Sequence, residues 1–349
     1  MTSTDTGETA AMELQEKSRL DTPDQQPRAG SKLGLRLLDN LIGLGLIACL
    51  VFSLAGLAGR IHWLVDLTNH FKVQYLFCCT LALIWFLLRR RPRWLALASV
   101  GVVVNGLFIT PLYMSPATVN SGASGSLAKL RVFAANVYVG NNQTEELLRQ
   151  IELAQPDVVL ISEYSEEWDE LLQPLEIDFP YSTKIPNKGA FGMAVYSRTQ
   201  FEELKVPNAS GRTPTIAGKF AVDDRVISLV SAHPVPPTSR EYASNRNAQL
   251  TFIGEFVAEL DGNVVVCGDL NTTRWSPWFG ALTSNGLRDG TEGFGLNVTW
   301  PIRNGGFNHW LKQIQIDHCL VSQGVTVDSF QVGKPTGSDH LPIVIDLLF

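Results

Sequence analysis

Hydrophobic and polar positions divide the chain into an apolar first third and a longer region in which short apolar and amphipathic segments alternate. Three apolar runs contain no charged residue: Leu41–Gly59, Val73–Leu88 and Trp94–Met114. A helix needs roughly 20 apolar residues to cross a bilayer, and the shorter second run is flanked by Lys72 and Arg89, which can snorkel. We therefore predict three transmembrane helices within residues 37–114, in preference to a cleaved signal peptide or a buried hairpin of a soluble protein.

The polar segments around these helices set the domain boundaries. Residues 1–36 are rich in Thr, Asp, Gln and Pro, which is typical of a disordered tail. Residues 115–128 read SPATVNSGASGSLA, which indicates a flexible linker. The remaining residues, 129–349, form one predicted domain without an evident internal repeat.

Within this domain, strand-like and helix-like stretches alternate. Predicted strands are KLRVFAANVY, PDVVLISEY, FGMAVYS, TIAGKFAV, RVISLVSAH, NVVVCGDLN, QIDHCLVS, VTVDSFQV and LPIVIDLLF. Predicted helices are TEELLRQIELA, SEEWDELLQPL, SREYASNRNAQLTFIGEFVAEL and SPWFGALTSNG. Hairpins mixed with helical crossovers indicate an α/β fold in which two sheets pack face to face with helices outside.

Basic residues near the predicted spans indicate how they are oriented. Seven lie on one side, Arg28, Lys32, Arg36, Arg89, Arg90, Arg91 and Arg93, against Arg60 and Lys72 in the first loop. The positive-inside rule then places the N-terminus in the cytoplasm and the domain that follows the third span outside the cell membrane. Of the five cysteines, only Cys267 and Cys319 lie in this domain. A disulfide between them is compatible with that location, but we favour two buried free thiols.

Several predicted strands end or begin with polar side chains that a strand does not require. These are Asn136, Glu163, His233, Asp269 with Asn271, Asp317 with His318, and Asp339 with His340. If these strand ends converge, their carboxylates, amides and imidazoles form a site suited to a hard divalent cation and a phosphate group.

The ordered series of Asn136, Glu163, His233, GDLN, IDHCL and GSDHLPIV resembles the endonuclease/exonuclease/phosphatase superfamily. That group includes pancreatic-type deoxyribonucleases, abasic-site endonucleases, neutral sphingomyelinases and inositol polyphosphate phosphatases. The resemblance spans nearly all of residues 129–349 and implies a four-layer α/β/β/α sandwich. It also implies a hydrolase of phosphate esters or anhydrides that depends on Mg²⁺ or Mn²⁺.

The resemblance implies a role for each matching residue. Glu163 and Asn136 match the metal-binding positions, and Asp339 matches an outer or second metal ligand. Asp269 would orient or deprotonate the attacking water, and Asn271, two residues along the same strand face, would donate to a phosphoryl oxygen. His340 matches the catalytic histidine, as general base or as charge stabiliser. Asp317 would fix the tautomer of that histidine, and His233 would contact the phosphate.

Other polar residues receive structural interpretations. Glu166 and Glu167 are typical of a first helical turn, and Asp157 is typical of a strand entry. We expect His309 and His318 to be surface or packing residues. For Arg246 we favour a salt bridge within the domain over a phosphate contact.

Charge and layout bear on the substrate. Residues 129–349 hold 17 Lys and Arg against 26 Asp and Glu, a net charge of −9, whereas duplex-binding proteins usually carry a basic surface. The linker spans at most roughly 50 Å, so the domain stays near the bilayer, where lipid phosphates are concentrated. The layout resembles VanJ-type teicoplanin-resistance membrane proteins, which are associated with cell-envelope phosphate chemistry. We therefore expect a phospholipid or undecaprenyl pyrophosphate substrate. The alternatives are an extracytoplasmic nuclease and a non-catalytic envelope binding module.

Overall fold

The computed structural model describes residues 29–114, 128–206, 213–302 and 309–349. Its N-terminal helical bundle, residues 29–114, contains α1 (Ala29–Ala55), α2 (Trp63–Leu67), α3 (Lys72–Leu88) and α4 (Pro92–Ile109). Short 3₁₀ turns follow α1, α2 and α4 at Gly56–Ala58, Thr68–Phe71 and Thr110–Tyr113. Three stretches of this bundle are long and apolar enough to cross a membrane: Leu33–Ala58, Trp63–Leu88 and Pro92–Tyr113.

Two details of the bundle differ from the sequence predictions. Helix α1 begins at Ala29, inside the segment 1–36 that we predicted to be disordered, and residues 1–28 lie outside the described part of the chain. Lys72 does not snorkel, because its side chain is fully buried. Its Nζ donates to the carbonyl of Ser53 and lies 4.4 Å from the centroid of the Phe108 ring, where α1, α3 and α4 meet.

The C-terminal domain, residues 128–349, contains twelve strands in two sheets within its described ranges. The first sheet has the order β11-β12-β1-β2-β4-β3, with β1 (Lys129–Asn136), β2 (Val158–Ser162), β3 (Tyr181–Ile185), β4 (Met193–Ser197), β11 (Thr326–Val332) and β12 (Ile343–Leu348). The second has the order β5-β6-β7-β8-β10-β9, with β5 (Phe201–Leu204), β6 (Thr215–Val222), β7 (Arg225–Ala232), β8 (Asn263–Asp269), β9 (Leu287–Asp289) and β10 (Asp317–Ser322).

Four helices cover the outer faces of these sheets: α5 (Glu145–Ala154), α6 (Glu166–Leu171), α7 (Arg240–Ala258) and α8 (Gly280–Thr283). One apolar core lies between the sheets, where Val132 and Leu160 of the first sheet pack with Leu229 and Val265 of the second. Separate cores join α5 and α6 to the first sheet and α7 and α8 to the second. The predicted four-layer α/β/β/α sandwich is therefore confirmed.

Each sheet contains one parallel strand pair, and these two pairs position the site. The pair β1–β2 is connected through α5, and the pair β7–β8 is connected through α7. All other strand pairs are antiparallel. Because parallel strands share one carboxyl edge, the residues that end β1 and β2 lie together, as do those that end β7 and β8.

Two local predictions in this domain were wrong. The predicted helix SPWFGALTSNG is reduced to one turn, α8, because backbone turns such as Phe279 N–H to Ser276 O replace a continuous helix before it. Cys267 and Cys319 form a disulfide rather than two free thiols. They face each other directly across the β8–β10 pair, a register that cannot be read from residues 52 positions apart. Of the predicted linker, residues 115–128, all but Ala128 lie outside the described residues.

Candidate active site

The first sheet ends in an amide and a carboxylate that hold each other. Asn136 is the last residue of β1, and Glu163 directly follows β2. The Asn136 Nδ2 group donates to Glu163 Oε1 at 3.0 Å, and the Val139 N–H donates to Glu163 Oε2 at 2.9 Å. Glu163 has φ of +61°, a conformation that costs a non-glycine residue energy and occurs mainly where a side chain must be aimed. The chain therefore turns sharply after β2 to place this carboxylate beside β1.

The second sheet ends in a buried histidine–carboxylate pair. His233 follows β7, Asp269 ends β8, and His233 Nε2 lies 3.3 Å from Asp269 Oδ2. Gly268 precedes Asp269 with φ of +139°, and a Cβ at this position would lie 2.2 Å from the Ala232 carbonyl oxygen. Only glycine allows the two backbones to come this close. The glycine of the GDLN motif thus lets the end of β8 lie against the end of β7.

A second histidine lies beside the two acids of the second sheet. Asp269 and Asp317 are directly opposite each other in the β8–β10 pair. His340 Nδ1 lies 2.9 Å from Asp317 Oδ2, and His340 Nε2 lies 3.6 Å from Asp269 Oδ2. Asn136 joins the sheets, because its Nδ2 also donates to Asp269 Oδ2 at 3.0 Å. Polar residues from both sheets therefore share one site.

The segment before β12 is fixed to the end of β1. The Ser338 hydroxyl donates to the Asn136 carbonyl oxygen at 2.7 Å, and the His340 N–H donates to the Ser338 hydroxyl at 3.0 Å. Ser338 and His340 are both buried. The serine of GSDHLPIV thus places the imidazole over the acids, a role that the sequence did not reveal.

Two acids, Asp269 and Asp317, and two imidazoles, His233 and His340, are buried close together, so burial and neighbouring charges act on them in opposite directions. Burial alone would raise the pKa of Asp269, but His340, His233 and the Asn271 N–H outweigh it and lower that pKa to about 2. Burial alone would lower the pKa of His340, but Asp317 and Asp269 outweigh it and raise that pKa to about 10. At neutral pH the metal-free site therefore pairs a charged imidazole with carboxylates.

Asn271 and Asp339 lie near this group, but Asn271 is not on the strand face that the sequence predicted. Strand β8 ends at Asp269, and Asn271 lies beyond it in a left-handed turn with φ of +50°, so the two do not share a strand face. They are joined instead by the Asn271 N–H, which donates to Asp269 Oδ1 at 2.9 Å. The Asn271 amide donates to the Pro234 carbonyl at 2.9 Å. Asp339 accepts from the Trp300 indole N–H at 3.0 Å.

The remaining polar residues have mainly structural surroundings. His318 is buried, lies 3.0 Å through Nε2 from the Thr272 carbonyl oxygen and packs on Phe279, as expected for a packing residue. His309 is half-buried in the 3₁₀ turn His309–Lys312. Arg246 forms a salt bridge, but its partner is Asp66 of the helical bundle rather than a residue of the C-terminal domain. No signal in the sequence connects these two positions.

The donor set fits a hard divalent cation. Ligand atoms of Asp269, Asp317 and His340 lie within 4.8 Å of one another, but the imidazole already lies beside both carboxylates of that group. Glu163 is half-buried and forms no ion pair with a basic side chain within the described part of the chain, so its oxygens suit Mg²⁺ or Mn²⁺ better. The Asn136 oxygen accepts from the Tyr138 N–H, so it would ligate a cation only after its amide turned over.

Comparison with known proteins agrees with this arrangement. The model of the Endonuclease/Exonuclease/phosphatase family matches residues 133–340, more than half of the chain. The chain belongs to the endonuclease/exonuclease/phosphatase family. Members of this family are phosphoesterases and nucleases, so a hydrolase is supported, and a divalent metal is their usual requirement. No curated protein sequence matches the chain significantly.

Several solved structures share the fold of this chain. They include D. rerio TDP2 complexed with single strand DNA product, at 18% identity and a TM-score of 0.53 over 63% of this chain and 98% of that one. The endonuclease/exonuclease/phosphatase from Bacteroides vulgatus is 18% identical with a TM-score of 0.51, over 63% and 98%. TDP2 from C. elegans is 16% identical with a TM-score of 0.51, over 65% and 78%. Identities this low show the fold alone.

Proposed function

We propose that the protein is a membrane-anchored, divalent-metal-dependent phosphoesterase that cleaves a lipid-linked phosphate ester or pyrophosphate at the outer membrane surface. The observation that carries the lipid substrate is the contact between the active-site edge and the helical bundle. Residues 273–278, which begin four positions after Asp269, lie against the bundle. The His70 Nδ1 lies 3.0 Å from the Thr273 hydroxyl, and Arg60 donates to the Pro277 carbonyl at 3.2 Å.

The contacts also support the proposed topology. They fall on residues 60–70, which join α1 to α3 and include the start of the second apolar stretch, and on the end of α4; three spans would place these two parts on the same side of a bilayer. At the end of α4, Trp275 Nε1 donates to the Phe108 carbonyl at 3.0 Å, and the Gly295 N–H donates to the Leu112 carbonyl at 2.7 Å. The basic residues at the other end favour the cytoplasm for that end. The Cys267–Cys319 disulfide is typical of a protein outside the cytoplasm.

Within this proposal, hydrolysis uses the geometry of both sheets. Asp269 orients the attacking water and accepts its proton, while the water oxygen bonds to phosphorus and the bond from phosphorus to the leaving oxygen breaks. The leaving oxygen takes a proton from solvent.

His340, held by Asp317, and His233 stabilise negative charge on the phosphoryl oxygens. Asn271 joins them when a phosphoryl oxygen displaces its Pro234 contact. A divalent cation held at Glu163, with Asn136 and Asp339 nearby, would neutralise further phosphoryl charge.

The test is a substrate panel on the full chain in detergent or nanodiscs with Mg²⁺ or Mn²⁺. We expect phosphate release from a polyprenyl pyrophosphate or from a phospholipid that carries a terminal phosphomonoester, loss of release with EDTA, and no cleavage of plasmid or single-stranded DNA. Glu163→Gln and His340→Ala should be inactive, while Glu203→Gln, an exposed acid of β5, should behave as wild type. Cleavage of DNA without phosphate release from either lipid would establish the nuclease instead. Full phosphate release by both site variants would exclude this site, and activity on no substrate would favour a binding module.

A further inference from the structure

A buried ion pair connects the helical bundle to the C-terminal domain. Arg246, on α7, is fully buried, and its Nη2 lies 2.5 Å from Oδ2 of Asp66, on α2. The Asp66 side chain is also buried, at 1% exposure. Charges removed from water in this way need a partner, because an unpaired buried charge is strongly destabilising. The two regions therefore depend on each other at this point.

The same guanidinium also holds the turn that carries Asn271. Arg246 Nη1 donates to the Asn271 carbonyl oxygen at 3.2 Å. Asn271 is in the left-handed conformation, and its N–H is bonded to Asp269 Oδ1. One arginine thus joins an acid of the helical bundle to the backbone of a proposed phosphate-binding residue.

Further contacts show that the bundle supports the whole segment after Asp269. The other oxygen of Asp66, Oδ1, accepts from the Ser276 hydroxyl at 2.7 Å. His70 is buried and contacts the Thr273 hydroxyl. Asp66 therefore holds the segment 271–276 near both ends, through Arg246 at Asn271 and directly at Ser276.

We propose that the helical bundle is a structural part of the active site and that Asp66, acting through Arg246, is a positioning residue for the Asn271 turn. The expected effect on kcat rests on the proposed function, whereas the expected effect on the structure of the Asn271 turn does not. A turn in a left-handed conformation persists only where its surroundings hold it, and a displacement of about 1 Å in a catalytic group can lower a rate by about 100-fold.

The first experiment compares Asp66→Asn with the wild-type full chain. We expect kcat for phosphate release to fall about 10- to 100-fold with KM changed less than about 3-fold, because the turn acts on the reacting phosphate rather than on lipid binding. Asp39→Asn is the matched control. Asp39 is a buried aspartate of α1 bonded to Arg89 and Arg91 at the opposite end of the bundle, so its loss should leave kcat within about 2-fold.

The second experiment separates positioning from stability. The double variant Asp66→Leu/Arg246→Met removes both charges, so it should unfold close to the wild-type temperature, as replaced buried ion pairs often do. Its kcat should remain as low as that of Asp66→Asn, since the bond to the Asn271 carbonyl is absent. Recovery of kcat together with the unfolding temperature would overturn the proposal.

The third measurement does not require activity. Amide hydrogen exchange in residues 270–276 should accelerate at least about 10-fold in Asp66→Asn and stay unchanged in Asp39→Asn. If the wild type releases no phosphate from any lipid but this exchange accelerates, the proposed function fails and the positioning role stands. If exchange and kcat are both unchanged in Asp66→Asn, the positioning role is wrong whatever the substrate.

Discussion

The two sheets of the C-terminal domain are built alike where they form the site, yet they contribute different chemistry. Each has one parallel strand pair joined through a helix, and in each pair polar residues stand at the carboxyl ends. The first sheet contributes Glu163, a half-buried carboxylate bonded to an amide and a backbone N–H. The second contributes Asp269, a fully buried carboxylate between two imidazoles. We infer that the first carboxylate suits a cation and the second suits a water molecule.

The sheets also differ in what lies beyond them. Seven hydrogen bonds between the helical bundle and the C-terminal domain reach α7 or a loop next to β8, β9 or β10, which belong to the second sheet. The first sheet instead contacts the short segment around Ser338, whose hydroxyl donates to the Asn136 carbonyl oxygen at the end of β1. The half proposed to act on water is therefore also the half held by the proposed membrane anchor.

The largest expected effect comes from His340, which serves both sheets. In His340→Ala the acids Asp269 and Asp317 lose the positive charge between them, and the phosphoryl group loses its stabiliser. We expect kcat to fall about 100- to 10,000-fold, measured by phosphate release under saturating substrate. His62→Gln, an exposed histidine of the bundle, serves as the control and should retain activity. A decrease of less than about 10-fold would remove His340 from the proposed mechanism.

Metal titration separates the two carboxylates. Glu163→Gln should raise the Mg²⁺ or Mn²⁺ concentration for half-maximal activity by at least about 10-fold, because a ligand is lost. Asp269→Asn should lower kcat with little change in that concentration, because it acts on the water. Activity is measured against metal concentration for both variants in parallel. Equal shifts in metal requirement would mean that both sheets bind the cation, and the contrast drawn above would be wrong.

The disulfide joins two strands of the second sheet, and its removal should affect stability rather than catalysis. Cys267→Ser/Cys319→Ser should lower the free energy of unfolding by about 2–4 kcal/mol, because the bond closes a loop of 52 residues. Below the unfolding transition, kcat should be nearly unchanged. Chemical denaturation with and without a reducing agent measures the difference. The control replaces the free Cys49, Cys78 and Cys79 with Ala and keeps the disulfide, so a reducing agent should destabilise it as it does the wild type, whereas Cys267→Ser/Cys319→Ser should be insensitive. An equal response of the control and of Cys267→Ser/Cys319→Ser would argue against the pairing.

The smallest effect is expected in the first sheet, far from the site. The bond from Arg131 lowers the pKa of Asp346, against burial, and Ser329 adds to the effect. Since the folded pKa lies below the ordinary value of about 3.9, this stabilisation is complete above that value and is lost as the pH falls through the folded pKa. Between pH 6 and 3 the wild-type melting temperature should therefore fall more steeply than that of Asp346→Asn. The variant Asp328→Asn, an exposed neighbour on β11, should follow the wild type.

Much of the fold and of the site could be predicted because the relevant signals are local. Apolar runs, alternating strands and the order of polar strand ends all lie within short windows, and the GDLN and GSDHLPIV motifs added the family resemblance. Even so, the conformations of Glu163 and Asn271 were not predicted, because left-handed turns at non-glycine residues have no clear sequence signal. The short edge strands β3, β5 and β9 were missed for lack of a strong pattern.

By itself, the sequence determined the apolar N-terminal helices, the two-sheet sandwich and the set of polar side chains at its strand ends, because periodicity and composition act over a few residues. Only the tertiary structure decided which distant groups meet. It paired Cys267 with Cys319, placed His340 between Asp269 and Asp317, and joined Arg246 to Asp66 across 180 positions. Such contacts depend on strand register and on how whole elements pack. A single sequence carries no local signal for either, although burial makes each contact energetically important.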